Sequence, residues 1–239
     1  MKKEILCIIP ARCGSKTLKH KNIREIAGKP LMVWSIEQAL ASDLIDIVIV
    51  STDSDEYAEC ALKYGANVPF LRPDSIAQDN STDLDVFIHA LSWLKQNENY
   101  IPDFCVHLRP TYPIRKVQDI DKCIDILMKN NNYDSIRSIA PVKEIPFKMW
   151  TMKSDGLLLP AVNTTIKDAF NLPRQELPIT YIQNACIDVV RTTVIIESGS
   201  MTGSSVYGYI MDHNYDIDTE EDFELATRIL QKQRSELPV

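Results

Sequence analysis

The sequence lacks any apolar stretch long enough to span a membrane. No run approaches the ~18–20 apolar residues that such a helix needs, and the first apolar run is interrupted at Pro10. Close cysteine pairs are missing too: the six cysteines, at positions 7, 13, 60, 105, 123 and 186, form no Cys-x-x-Cys or zinc-binding spacing. We therefore predict a cytoplasmic protein with reduced thiols and no membrane contact.

Excess positive charge and the two common nucleotide-binding signatures are also absent. The formal net charge of -7 argues against a nucleic-acid binder, which usually presents a basic face. A Walker motif needs a glycine five residues before Gly14, where Ile9 stands, and a dinucleotide fingerprint needs three glycines where this loop has one. The 239 residues suit a single α/β domain.

What the sequence does contain is an alternation of short apolar runs with amphipathic stretches. Strands are expected at residues 5–9, 45–50, 68–71, 104–108 and 189–196. Helices are expected to begin near Pro30 and Thr82, to end at Gly65, and to cover residues 120–128 and 219–230. This order predicts a parallel sheet with helices on both faces and ligands beyond the carboxyl ends of the strands, in loops 10–24, 51–54, 72–82 and 109–115.

The pattern weakens beyond Ser135. Residues 141–185 contain five prolines and only short apolar pieces. We interpret this region as a projecting arm or small lobe of one domain that spans residues 1–239, not as a second wound domain.

The loop after the first expected strand concentrates positive charge in an acidic chain. A turn at Gly14 can aim backbone N–H groups at phosphate oxygens, Ser15 can add a hydroxyl donor, and Arg12, Lys16 and Lys21 supply charge. The alternative is a solvated basic loop that only joins a strand to a helix. The loop alone does not decide between the two.

A series of motifs follows in a characteristic order. It comprises Ile-Ile-Pro-Ala-Arg-Cys-Gly-Ser-Lys at 8–16, Lys-Asn-Ile at 21–23, Ala-Gly-Lys-Pro-Leu at 27–31, Val-Ser-Thr-Asp at 50–53, Phe-Leu-Arg-Pro at 70–73, Arg-Pro-Thr-Tyr-Pro-Ile-Arg at 109–115 and Asp-Ile-Asp at 216–218. This series closely resembles the acylneuraminate cytidylyltransferases, the family of the CMP-sialic acid synthetases. The resemblance implies a Rossmann-like, doubly wound α/β fold with a mostly parallel sheet, in a homodimer that exchanges an arm where residues 141–185 fall.

The resemblance also implies site residues. A nucleotide, CTP, would be bound by Ala11, Arg12, Gly14, Ser15, Lys16, Lys21, Asn22, Arg72, Ser81 and Thr82. Arg12, Lys16 and Lys21 would act in catalysis, and Asp216 and Asp218 would hold Mg²⁺ or another divalent cation. On an extended segment both carboxylates lie on one face, and Mg²⁺ prefers a few carboxylate oxygens together with phosphate and water. The alternative is that Asp218 or Thr219 only caps the following helix.

The implied reaction is attack by the anomeric hydroxyl of an acidic nine-carbon sugar on the α-phosphate of CTP, with release of pyrophosphate. Such a transfer needs placement and charge neutralisation more than covalent chemistry by the protein. A related nucleotidyltransferase with another nucleotide or acceptor, such as GTP with a sugar phosphate or CTP with another acidic sugar, is the alternative. A glycosyltransferase and a relative that has lost catalysis fit the motifs less well.

The sugar side is implied to involve Arg109, Arg174, Gln175, Tyr181 and Asn184. Arg109 departs from the family, which commonly has glutamine there. It suggests an altered acceptor, with a structural arginine paired to a carboxylate as an equal alternative. Cys13 replaces a family glycine; we expect nearby cations to favour its thiolate. His107 is interpreted as a structural residue.

Overall fold

The computed structural model describes residues 2–14 and 18–236. Its strands are β1 (Ile5–Pro10), β2 (Glu25–Ile26), β3 (Lys29–Pro30), β4 (Ile47–Ser51), β5 (Phe104–His107), β6 (Ser135–Pro141), β7 (Trp150–Met152), β8 (Leu158–Pro160), β9 (Tyr181–Arg191) and β10 (Val206–Ile210). Its α-helices are α1 (Leu31–Leu40), α2 (Asp55–Lys63), α3 (Asp83–Glu98), α4 (Val117–Lys129), α5 (Thr192–Ser198) and α6 (Glu220–Glu236).

Six of the strands form one mostly parallel sheet in the order β10-β6-β9-β5-β1-β4. Strand β1 pairs in parallel with β4 and β5, and β10 pairs in parallel with β6. Strand β9 is antiparallel to both of its neighbours, β5 and β6. The predicted α/β, mostly parallel fold is therefore confirmed, with β9 as the antiparallel member.

Helices cover both faces of this sheet because alternate side chains of β1 point in opposite directions. Ile5, Cys7 and Ile9 pack in a core cluster with side chains of α1, α2 and α4. Leu6 and Ile8 pack on the opposite face with side chains of α3 and α5. A strand buried on both faces has an almost continuous apolar sequence, which is why residues 5–9 could be recognised.

Helix termini near the site follow their local sequence. The Thr82 side chain accepts a hydrogen bond from the Asp85 amide at 3.2 Å, and the Asp85 carboxylate accepts one from the Thr82 amide at 2.9 Å. This capping box starts α3 immediately after the 72–82 loop. Gly65, with φ of 89°, follows the end of α2 as the sequence predicts.

Two expected strands are wrong in whole or in part. Residues 68–71 form no strand; only Asn67 makes an isolated bridge, to Ile49. Pro69 has no N–H to donate to a continuing ladder. Of residues 189–196, the last five belong to α5, since a short buried apolar run does not distinguish a strand from a helix.

The region after Ser135 contains more sheet than its sequence indicates. Strands β6 and β10 were not predicted, and β9 begins at Tyr181, inside the expected arm. Between β6 and β9, residues 142–180, here named the outer segment, contain short 3₁₀ turns and the β7–β8 hairpin. That it forms an arm of a single domain stays a prediction.

The described helices were also compared with the length and apolarity that membrane crossing demands. Over residues 2–14 and 18–236, none meets both requirements.

Candidate active site

A cleft of about 240 Å³ opens beyond the carboxyl ends of β1 and β5. It is lined by Pro10, Arg12, Lys21, Asn22, Arg72, Gln78, Ser81, Thr82, Asp83, Val86, His107, Arg109, Pro110 and Thr111. Six of the ten residues predicted to bind a nucleotide therefore share one surface, namely Arg12, Lys21, Asn22, Arg72, Ser81 and Thr82. This edge is where ligands bind in open parallel sheets.

Backbone hydrogen bonds hold the start of the first loop against the sheet. The Ala11 amide donates to the Ser51 carbonyl at 2.9 Å, so Ala11 is buried as an extension of β1. The Asn22 side chain donates to the Arg12 carbonyl at 3.0 Å and closes the loop from its other end. Gly14 is exposed, and Ser15 and Lys16 lie outside the described residues.

Cys13 differs from the expected thiolate. Its amide donates to Asp53 at 2.9 Å, and its thiol lies 3.2 Å from the other oxygen of the same carboxylate. Burial, followed by this hydrogen bond, raises the pKa of the Cys13 thiol, so the expectation from nearby cations is wrong. Cys13 is not among the residues with positive φ, and a side chain fits here without backbone strain.

The two arginines of the nucleotide prediction have different surroundings. Arg12 is partly exposed and pairs with Asp79 at 2.8 Å. Arg72 is buried, with its Nε donating to the Ser51 hydroxyl at 3.1 Å and its Nη2 donating to the Ser51 carbonyl. Burial lowers the pKa of Arg72 to about 10, which still leaves it charged at neutral pH. Arg72 is thus a cation whose position at the cleft is fixed by burial and hydrogen bonds. The partly exposed Arg12 side chain is less constrained.

Lys21 connects the first loop to the distant acidic motif. Its ammonium donates to the Ile217 carbonyl at 2.7 Å and lies 3.6 Å from the Asp218 carboxylate. Ile217 is fully buried, and its amide donates to the carbonyl of Thr111, a cleft residue, at 2.9 Å. Residues separated by almost 200 positions therefore meet at the same edge of the sheet.

The acidic pair has donors suited to a divalent cation. Asp216 has a buried Oδ1 without a hydrogen-bond partner in the described structure, and burial raises the pKa of this carboxyl. The Asp218 side chain is 76% exposed. Thr219 caps α6, because its hydroxyl accepts from the Asp222 amide at 3.2 Å, so the carboxylate of Asp218 is not consumed by capping.

The donor set of the pair is small. Within residues 2–14 and 18–236, no group of three or more Asp, Glu, His and Cys side chains could hold a metal. Mg²⁺ commonly takes one or two carboxylates and completes its shell with substrate phosphates and water. The pair fits Mg²⁺ bound together with a phosphate-bearing ligand and does not form an all-protein cage.

Arg109 lines the cleft but is also paired. Its Nη2 donates to Asp83 at 2.8 Å and its Nη1 donates to Asp188 at 2.9 Å. Arg137 donates to the second oxygen of Asp188 at 3.0 Å. The structural alternative foreseen for Arg109 is therefore present, with two carboxylates instead of one.

Sequence reasoning missed most of this charged network. Asp188 stands among buried apolar residues of β9, and a charge in such a run is itself a signal, because buried charges need partners. Asp83 was hidden by its position in the first turn of α3, where an acidic residue is ordinary. His107 is fully buried against this network, and burial lowers its pKa to about 4.

The other predicted sugar residues do not line this cleft within one chain. Arg174 is exposed and donates to the Val142 carbonyl at 2.8 Å, and Gln175 and Tyr181 are also exposed. Asn184 is buried: its oxygen accepts from the Ser138 hydroxyl at 2.6 Å and its amide donates to the His213 carbonyl at 3.3 Å. In the single chain Asn184 is a structural residue.

Known proteins share this sequence pattern and this fold. Residues 6–236 match the family described as Cytidylyltransferase. Post-translational flagellin modification protein B of Campylobacter coli is 32% identical over 234 residues, with 96% of each chain covered. CMP-N,N'-diacetyllegionaminic acid synthase of Legionella pneumophila is 33% identical over 230 residues, covering 95% of this chain and 96% of that protein.

A solved structure supports the fold. The structure of CMP:2-keto-3-deoxy-manno-octonic acid synthetase complexed with CTP superposes with a TM-score of 0.72 at 14% identity, covering 96% of this chain and 99% of that one. At this identity the likeness concerns the fold alone. The family match over nearly the whole sequence confirms the prediction of a nucleotidyltransferase: the chain belongs to the cytidylyltransferase family.

Proposed function

We propose that the chain transfers CMP from CTP to a nonulosonic, sialic-acid-like sugar and releases pyrophosphate. The Legionella relative is named for a CMP-linked diacetyllegionaminic acid. A relative from Escherichia coli, 31% identical over 97% of this chain and 53% of its own length, is named N-acylneuraminate cytidylyltransferase. The names support an acidic nine-carbon sugar as the acceptor.

The residues of the cleft have separate tasks in this proposal. Arg72, Asn22 and Ser81 orient the nucleoside, with Thr82 beside them. Arg12 and Lys21 neutralise the triphosphate as negative charge develops, and Lys16, outside the described residues, shares this task. Fixed cations of this kind stabilise a phosphoryl-transfer transition state without covalent chemistry.

Asp216 and Asp218 would hold a divalent cation. When bound, such a cation supplies neutralisation of phosphate charge and lowers the pKa of an attacking hydroxyl. The orphaned Oδ1 of Asp216 and the exposed carboxylate of Asp218 are the protein donors that remain for it.

One observation carries the proposal. The Lys21 ammonium is bound to the Ile217 carbonyl, between the two aspartates in sequence, while it also lines the cleft that contains Arg12 and Arg72. A ligand at this point meets cations from the amino-terminal loop and carboxylates from the carboxyl-terminal motif. A triphosphate with its metal has this pattern of charge.

We extend the proposal to a homodimer formed through the outer segment. Seven large apolar side chains of this segment are exposed, namely Met149, Trp150, Met152, Leu157, Leu158, Leu159 and Ile179. Clustered exposed apolar side chains are typical of surfaces that pair with another protein. A second copy would cover them and bring Arg174, Gln175 and Tyr181 toward a neighbouring cleft.

All six cysteines are free in the structure. This state supports a reducing compartment, and we place the reaction in the cytoplasm.

The test is mass spectrometry of products formed from CTP, Mg²⁺ and a set of nine-carbon keto-acid sugars. Parallel reactions would contain GTP with sugar phosphates and CTP with other acidic sugars. We expect a CMP-sugar and pyrophosphate only from CTP with a nonulosonic acid, and loss of product with Lys16→Ala or Asp216→Ala. Lys129→Ala and Asp125→Ala, which alter an exposed ion pair on α4, are the matched controls.

Product from GTP alone, or full activity in the Lys16 and Asp216 variants, would contradict the proposal.

A further inference from the structure

At the β5 end of the cleft, Asp83, His107 and Arg109 lie side by side, and we name this group the Asp83 patch. Two carboxylates, Asp83 and Asp188, face two guanidinium groups, Arg109 and Arg137, within 3.0 Å. The positive charge of Arg109 is therefore matched before any substrate arrives. An anion at this end would gain little from Arg109 and would be repelled by Asp83.

The Asp83 carboxylate keeps an accessible acceptor. Its Oδ2 is occupied by Arg109, whereas its Oδ1 lies 3.8 Å from the nearest His107 nitrogen, beyond hydrogen-bond distance. The side chain of Asp83 is 42% exposed. Its pKa is lowered: burial opposes the lowering but is outweighed by the charge and the hydrogen bond of the Arg109 guanidinium, so the group is ionised at neutral pH.

His107 provides a second, independent indication of a ligand. Its side chain is 1% exposed and lines the cleft, yet neither ring nitrogen has a hydrogen-bond partner among the described residues. A buried polar group without a partner is unfavourable unless something else satisfies it. The neutral imidazole offers one N–H donor and one acceptor.

We propose that Asp83 and His107 recognise an uncharged hydroxyl or acylamino group of the acceptor sugar, with Arg109 as a positioning residue. This inference rests on the proposed function and identifies the class of acceptor group that the Asp83 patch binds. Asp83 Oδ1 accepts a hydrogen bond from the O–H or N–H of that group, and a ring N–H of His107 donates one to the oxygen of the same group. Arg109 holds Asp83 in place and does not bind the sugar carboxylate.

Steady-state kinetics with Asp83→Asn tests the proposal. We expect the KM for the acceptor to rise about tenfold or more, because a hydrogen bond to a charged acceptor is lost, while the KM for CTP stays within about twofold. Asp74→Asn, which removes a charge from an exposed carboxylate in the 72–82 loop, is the matched control and should change neither constant.

A panel of acceptors, each with one hydroxyl or acylamino group replaced by hydrogen, identifies the group. For one member of the panel, the wild type and Asp83→Asn should have the same acceptor KM. His107→Leu should also raise the acceptor KM, and Asp83→Glu should recover part of the loss, which a merely misfolded variant would not.

Three results overturn the inference. These are an unchanged acceptor KM in Asp83→Asn, an equal rise in the KM for CTP, or the same loss for every member of the panel. Each of them leaves the proposed function intact, because the wild type would still form a CMP-sugar. If the wild type turns over no acceptor at all, the proposed function fails and the inference fails with it.

Discussion

The cleft edge of the sheet and the outer segment differ in which side chains they bury and which they expose. At the cleft, ionisable side chains such as Asp188, His107 and Arg72 are buried and most are paired. In the outer segment every ionisable side chain is exposed, and so are large apolar ones such as Leu158. Burial of charge with partners is typical of a site, and exposure of apolar surface is typical of an interface. This contrast supports the proposed reaction at the first region and the proposed association at the second.

The largest expected difference between the two regions concerns lysines. We expect Lys21→Met to lower kcat/KM by about 10²–10³-fold, since it removes a fixed cation beside the developing phosphate charge. Lys153→Met, in the exposed outer segment, should change kcat/KM by less than about threefold, the size of a surface effect. Steady-state rates of pyrophosphate release measure both. Equal effects would remove the distinction between the regions.

Truncation of an apolar side chain should also destabilise the two regions to different extents. Ile187→Ala leaves a cavity at a fully buried position of β9, and we expect it to lower the free energy of unfolding by about 3 kcal/mol. Leu158→Ala, at a side chain that is 50% exposed, should cost less than about 0.5 kcal/mol in the monomer. Urea unfolding at low protein concentration gives both values. A cost for Leu158→Ala that matches that for Ile187→Ala would show a packed core in the outer segment.

The buried imidazole of His107 should make stability depend on pH. Folded His107 stays neutral down to a pKa of about 4, whereas the unfolded chain takes up this proton near 6.5. The unfolded state binds more protons between these values, so stability falls as the pH is lowered. From pH 7 to pH 5 we expect this group to account for a loss of about 2 kcal/mol. Urea unfolding of His107→Leu should show a loss smaller by that amount; the same loss in both proteins would contradict the buried neutral imidazole.

The smallest effect is expected for association. Leu158→Asp combined with Met152→Asp should weaken self-association at least about tenfold, because charges enter the proposed apolar contact. Leu62→Asp, which alters an exposed leucine on α2, is the matched control and should leave it unchanged. Sedimentation equilibrium measures the dissociation constants. Equal self-association of the wild type, the double variant and Leu62→Asp would argue against an interface at the outer segment.

Features set by local sequence could be predicted, whereas contacts between distant parts of the chain could not. Strand β1 and the start of α3 were predictable because burial on both faces and the Thr82 cap are local properties. The pairing of Arg109 with Asp188 joins residues 79 positions apart, and no local pattern contains it. Strand β10 escaped prediction because none of its residues is buried, and β6 because serine and arginine interrupt its apolar residues. The partner strands of β6, namely β9 and β10, lie far along the chain.

At the cleft, family motifs supplied what periodicity could not. They brought Lys21 and Asp218 into one hypothesis, and the structure places these side chains 3.6 Å apart. They did not indicate that Asn184 would be buried and fully bonded, because its partners Ser138 and His213 come from segments whose packing the motifs do not describe. The outer segment has little periodicity and few family motifs. Its proposed role requires that two copies of the chain associate.

In the proposed function, the amino-terminal cations and the carboxyl-terminal carboxylates bind one metal-linked triphosphate. Calorimetric titration with CTP, with and without Mg²⁺, measures this shared binding in the wild type, Lys21→Met and Asp218→Asn. We predict that Mg²⁺ strengthens CTP binding to the wild type, that Asp218→Asn loses this dependence on Mg²⁺, and that Lys21→Met binds CTP weakly under both conditions. CTP affinity and Mg²⁺ dependence that are unchanged in both variants would contradict the account.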